Sequence, residues 1–185
     1  WEELYPAMEA NRNTIGKERG WPPYSRLQFQ NDLGPEVAIY AGSPQDQGNS
    51  VRVIYTAPAD VLRVRLHSAS RVRNRVLFSA TTADTTGYFQ LDPEGTSAPE
   101  PIARAGGGFL QLSPDGRWLA LTGHRTGRSE VYVRRYPDGP EIQVTADGGE
   151  EARWSSRGDE LYYRYGDVWY AVRLSLEPAA AIGYP

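Results

Sequence analysis

The chain has 185 residues, 20 of them basic and 23 acidic, with a formal net charge of −3 and no cysteine. That balance excludes a globally cationic nucleic-acid binder, and the missing thiols exclude disulfides, thiolate metal sites and cysteine nucleophiles. Hydrophobic residues at 39% suffice for a core, yet no stretch stays apolar for the roughly 18 residues that cross a bilayer.

Residues 1–25 are irregular and rich in turn formers, among them Asn11, Asn13, Gly16, Gly20, Pro22 and Pro23. The chain opens on Trp1 rather than Met, which is expected of a processed chain or a piece of a longer one. From Leu27 to Leu174 short β-rich runs are bounded by Gly, Pro, Asp and Asn, with almost no helical periodicity. In chain order the clearest are Val51–Ala57, Val61–Leu66, Arg75–Thr81, Tyr88–Leu91, Trp118–Thr122, Glu130–Tyr136, Glu141–Thr145, Leu161–Tyr165 and Val168–Leu174. In the sixth of these Val131 and Val133 alternate with Glu130, Tyr132 and Arg134, the period of a strand with one buried face.

Many short strands mean a sandwich, a barrel or a propeller, and internal repetition decides among them. Ser113 falls on Ser155 after a shift of 155 − 113 = 42 residues, Gly116 then falls on Gly158, and Leu119 on Leu161. One period earlier Leu77 falls on Leu119, Phe89 on Val131 and Leu91 on Val133. A four-stranded unit of roughly 40–45 residues is the period of a propeller blade. The prediction is an all-β chain, a β-propeller of about four four-stranded blade-like units, near 26–57, 61–105, 109–147 and 151–174. The second unit carries an insertion, Leu66 to Asn74, and the fourth is expected to lack its outermost strand because Glu177-Pro-Ala-Ala-Ala181 forms strands poorly. Residues 177–185 read as a tail.

The sharpest segment is Leu112-Ser-Pro-Asp-Gly-Arg-Trp-Leu-Ala-Leu121. Its Ser113-Pro114-Asp115-Gly116 is turn chemistry: proline presets φ, aspartate bonds its own backbone, and glycine accepts φ > 0. Gly158 holds the matching place in the fourth unit. This segment, with Gly127-Arg-Ser-Glu-Val-Tyr-Val133, Gln143-Val-Thr145, Gly148-Gly149 and Ala152-Arg-Trp-Ser155, resembles the TolB-type, WD-repeat-like β-propeller repeat. Such repeats occur in TolB-like proteins, in sensor regions of bacterial protein kinases and in propeller domains of prolyl-oligopeptidase-type enzymes. The resemblance implies a fold and a habit of binding rather than a shared chemistry, and it implies a periplasmic or extracellular location. The fourth unit departs from the pattern with Ser155-Ser-Arg-Gly-Asp159, and the second with Arg71-Val-Arg-Asn74.

No catalytic constellation stands out. His124 lies in a turn-rich connection, and His67 lies in the insertion without a nearby carboxylate. There is no Gly-x-Ser-x-Gly elbow and no phosphate-cradling Gly-x-x-x-x-Gly-Lys loop. Nothing calls for a metal or a cofactor. Arg63, Arg65, Arg71, Arg73 and Arg75 form a local basic cluster. An aromatic group around Trp154 divides between blade core and a candidate interaction surface of Tyr163, Tyr165, Trp169 and Tyr170.

The expectation is a non-enzymatic interaction module that binds a protein partner or copies of itself, by strand exchange if a unit is left open. It would bind no nucleic acid and span no membrane. The alternative is an accessory or sensor propeller domain of a larger enzyme. A third expectation, a ligand-binding or lyase channel, requires polar groups on the innermost strands, where the sequence offers only Gln111 and Arg153.

Overall fold

A computed structural model describes residues 27–31, 37–42, 51–102, 108–176 and 181–182. The expected segment 1–25 and most of the tail 177–185 lie outside the described residues. Among those described, every regular element is a strand, and the strands form antiparallel sheets in chain order. The first sheet holds β1 (Leu27–Asn31), β2 (Ala38–Gly42) and β3 (Arg52–Thr56); the second holds β4 (Arg63–Ser70), β5 (Arg75–Thr81), β6 (Thr86–Leu91) and β7 (Glu100–Pro101). The third holds β8 (Leu110–Leu112), β9 (Trp118–Gly123), β10 (Glu130–Arg135) and β11 (Glu141–Gln143). The fourth holds β12 (Glu150–Trp154), β13 (Glu160–Tyr165), β14 (Val168–Ser175) and β15 (Ala181–Ile182).

Each strand turns back on its predecessor because the turn chemistry is local. Gly116 N–H donates to the Ser113 carbonyl at 2.8 Å, and Gly158 N–H to that of Ser155 at 3.1 Å. Both glycines take positive φ, 68° and 78°. In the second unit Asn74 takes φ 50°, as asparagine tolerates better than other side chains. Strand β5 then starts directly after Asn74, whereas Arg117 separates Gly116 from β9. That single residue corrects the expected superposition. Leu77 packs toward the third sheet while Leu119 packs toward the second, and Phe89, which packs with the first sheet's cluster, corresponds by face to Tyr132 rather than Val131. A slip of one residue exchanges the two faces of a strand.

Three apolar clusters fill the spaces between successive sheets. Ile39, Ala41 and Ile54 meet Val64, Phe78 and Ala80; Leu77 and Tyr88 meet Leu110, Leu119 and Leu121. Trp118, Val131 and Val133 meet Ala152, Leu161, Tyr163 and Val172. None of these clusters joins the fourth sheet to the first, so the sheets form an open arc of blades. An interior blade is covered on both sides. Accordingly β10 is buried from Glu130 through Arg134, not on one face only as its alternation suggested.

The insertion in the second unit lengthens a strand, extending β4 through Ser70 with a register shift between Leu66 and Ser68. One further expectation changes. The fourth unit does have an outermost strand, for Ile182 pairs with Leu174 and Ala181 with Ser175. Two residues of pairing need little strand propensity, so the Ala-rich sequence suffices there. The rest of the outer edge of β14, Val168 to Arg173, has no strand partner among the described residues. Among the described residues the sheet short of a strand is instead the first. Ala57 N–H donates to the Val37 carbonyl as Val144 N–H does to that of Val131 and Ile102 N–H to that of Tyr88. This makes β3 the outermost strand of its sheet, and the expected innermost strand has no counterpart among the described residues.

Candidate functional site

Ser113, Pro114, Asp115 and Gly116 sit together in the turn between β8 and β9. Ser113 Oγ accepts from Trp118 N–H at 2.9 Å and donates to Asp115 Oδ1 at 2.6 Å. Partial burial raises the Asp115 carboxyl, but the Ser113 hydroxyl and the Arg117 N–H and guanidinium outweigh it, holding the carboxyl below its ordinary value. The turn is a structural device. Arg73 Nε donates to the Gly116 carbonyl at 2.8 Å, so the turns of the second and third blades are tied together, and Arg75 bonds the Asn74 carbonyl. Two of the five arginines in the predicted basic cluster, Arg73 and Arg75, thus hold turns.

Strand pairing divides the aromatic residues between the two faces of the blade: Tyr165 and Tyr170 share the face of Tyr163 toward the third blade, and Tyr162 and Trp169 lie on the outward one. Tyr163 is a correction: it is 7% exposed, packed with Leu161 and Trp118 in the core, and its ring stacks on Tyr170 at 5.4 Å. Tyr165, Trp169 and Tyr170 are exposed, joined by Tyr162 and Val168. Among the described residues, five of the eight large exposed hydrophobics fall on the one hairpin β13–β14. Tyr165 and Val168 face each other across the two-residue turn Gly166-Asp167, where Gly166 has φ 58°.

The outward face of this blade differs in kind from that of its neighbour. Matching the paired positions of β9–β10 and β13–β14 puts Glu160 where Trp118 stands, Tyr162 for Ala120, Arg164 for Thr122 and Trp169 for Val131. Arg164 binds Glu150 at 2.6 Å and Glu151 at 2.9 Å, and Arg173 binds Glu160 at 3.2 Å. Tyr162 OH donates to Glu160 at 3.3 Å. The face is a mosaic of aromatic rings and ion pairs, unlike the apolar faces between blades. Beside it an open groove of about 320 Å³ is lined by Arg128, Asp147, Gly148, Glu150 and Tyr165.

Glu130 escaped the sequence analysis. It is fully buried, and its carboxylate accepts from Thr145 Oγ1 at 2.5 Å and Gly148 N–H at 3.1 Å, with Arg128 Nε at 2.9 Å. It clamps the link between the third and fourth blades. The nearby Gly148-Gly149 was its only signal. Gln111 does a similar task, accepting from Trp154 N–H at 2.8 Å while Trp154 Nε1 donates to the Gln111 carbonyl at 3.0 Å.

The innermost strands carry more than Gln111 and Arg153. The guanidinium carbons of Arg65 and Arg153 lie 5.1 and 4.6 Å from the centroid of the Phe109 ring. His67 lies beside this group, its ring edge-on to Phe109 at 6.4 Å, with Nε2 3.0 Å from Ser79 Oγ. Burial, then the charges of Arg65 and Arg153, push its pKa down from 6.5 to about 4. His124 pairs with Ser129 at 2.9 Å. No group of three His, Asp or Glu side chains among the described residues is arranged to hold a metal ion. No described helix is long and apolar enough to cross a membrane.

No family model matches the chain, and no curated protein matches it. Solved structures do. TolB from Acinetobacter baumannii superposes with a TM-score of 0.67 at 16% identity, over 85% of this chain and 40% of that one. A protein assigned as TolB from Agrobacterium tumefaciens gives 0.64 at 15%, over 85% and 60%. An oligogalacturonate lyase in complex with manganese gives 0.55 at 12%, over 85% and 44%. This chain spans 60% or less of each of those proteins. At such identities the likeness concerns architecture, and in architecture this chain is an open arc of a TolB-type β-propeller.

Proposed function

We propose that the chain is a non-enzymatic interaction module that associates with copies of itself through the outward face of its fourth blade. One observation carries this reading: the outward face of this blade sets the exposed rings of Tyr162 and Trp169 beside the ion-paired Arg164 and Arg173. Tyr, Trp and Arg are the residues enriched at protein interfaces and dominant in their energetics. The face carries both signs of charge, Arg164 and Arg173 with Glu150, Glu151 and Glu160, so it complements itself across a two-fold axis. The uncovered edge of β14 allows the two copies to pair strands as well. A periplasmic or extracellular setting rests on the resemblance to TolB-like proteins.

Trp169→Ala tests the surface. Chemical cross-linking and light scattering are expected to show the association weakened by about tenfold or more, as for a central aromatic anchor. Unchanged association would remove the hairpin from the contact. A second reading, an accessory propeller domain of a larger enzyme, is favoured by the lyase among the similar structures. It requires catalytic residues elsewhere, because the described blades hold no acid–base or nucleophile pair beyond those already accounted for.

A further inference from the structure

The pairing of β4 with β5 contains one irregular step. Leu66 pairs with Phe78 and Ser68 with Leu77, so His67 is the extra residue of a β-bulge. The bulge brings two consecutive side chains of β4 to the seam between the second and third blades. Ser68 Oγ accepts from Leu112 N–H of the third blade at 3.3 Å. The His67 ring meets Tyr88 on β6 and Phe109 just before β8, with centroids 5.7 and 6.4 Å away. Its Nε2 lies 3.0 Å from Ser79 Oγ on β5, directly across from Tyr88. Its Nδ1 is shut off from solvent and has no hydrogen-bond partner among the described residues.

We propose that His67 is an acid-released latch on this seam: on taking up a second proton its ring leaves the contact with Tyr88 and Phe109, and the second and third blades part there while each keeps its own strand pairing. A neutral imidazole carries one N–H, and the protonated ring carries two. In the closed seam the Nδ1–H would then be enclosed without an acceptor, which is costly. The charges around the ring act in the same direction. Arg65 on its own strand and Arg153 on β12 are cations that disfavour its protonation; Ser79, Tyr88 and Phe109 are uncharged. Burial first, then those two charges, hold the pKa at about 4 instead of 6.5, and a ring released into water regains its ordinary value. The open seam therefore binds the extra proton between those values, so closure is fully favoured above pH 6.5 and weakens as pH falls toward 4. The bulge keeps the movement local. Its extra residue has no partner in the ladder, so the ring can swing out with the β4–β5 pairs intact.

The test measures amide exchange of the 185-residue chain by NMR between pH 6.5 and about 4, as protection relative to the intrinsic rate, while the His67 ring signals are titrated on the same samples. Two amides make the comparison. Leu112 N–H bonds Ser68 across the seam in question, and Trp154 N–H bonds Gln111 across the next one. Protection at Leu112 is expected to fall by about tenfold or more relative to Trp154, in step with the charging of His67. His67→Gln and His67→Phe take up no proton there, and both are expected to hold the Leu112 protection level over the range; the second serves if the first disturbs the packing. The proposal is overturned if His67 becomes charged with Leu112 protection unmoved, if Leu112 and Trp154 lose protection equally, or if both variants show the loss seen in the parent.

Discussion

Gly116 and Gly158 occupy equivalent turns with similar positive φ, 68° and 78°, yet their surroundings differ. A Cβ on Gly116 would meet Arg73 Cγ at 2.6 Å, whereas on Gly158 its nearest neighbour, Pro114 Cδ, lies at 3.4 Å. Gly158→Ala therefore carries backbone strain alone, about 1 kcal/mol, while Gly116→Val adds a β-branched clash and reaches about 2–3 kcal/mol. Equal melting temperatures for the two variants would show the Arg73 contact to be without weight. Acid stability follows from His67. Its folded pKa, about 4, lies below the 6.5 of the unfolded chain, so the unfolded state binds the extra proton between those values. Stability is full above pH 6.5 and is lost as pH falls toward 4. Melting curves across that range are expected to show the loss, and His67→Gln to flatten it. The Ser-Pro-Asp-Gly turn was legible because its chemistry is contained in four consecutive residues. Tyr163 was not, since its place in the core depends on which face of β13 meets the third blade, and composition is silent on that.

Strand placement from the sequence was close wherever turn formers bracket an apolar run: Arg75–Thr81 matches β5, and Val168–Leu174 differs from β14 by one residue. Register between blades was less accessible. One residue fewer between Asn74 and β5 reversed the faces assigned to the second blade, and such a difference is visible only when Leu77 and Leu119 are seen packing into the same space from opposite sides. The short β15 was missed because its two pairs with β14 depend on proximity rather than propensity. At this scale Glu130 makes the clearest prediction. It joins the start of β10 to the loop that leads into β12 through Thr145 and Gly148. Glu130→Ala leaves the Thr145 hydroxyl and the Gly148 N–H without their acceptor and is expected to cost about 1–3 kcal/mol. Hydrogen exchange should then rise first at Gly148 and along β12. Loss spread evenly over all blades would show that Glu130 is not a local clamp.

Across the whole molecule the repeat foretold the architecture. What it misplaced was the sheet short of a strand, which among the described residues is the first and not the fourth. A solenoid-like stack protects its terminal repeat with a polar outer face, and here Glu160 stands where the third blade has Trp118, and the charged Arg164 where it has Thr122. The retained Tyr162 and Trp169 set that end apart from a plain solvated cap. This contrast between adjacent faces is the basis for assigning association to the fourth blade, and it could not be read before the register was known. Sedimentation equilibrium of the 185-residue chain over a wide concentration range tests it most directly. The account predicts a weight-average mass that climbs from monomer to dimer with concentration and falls back with Trp169→Ala; a single monomeric species at every concentration, melting cooperatively and unaffected by that substitution, would contradict it.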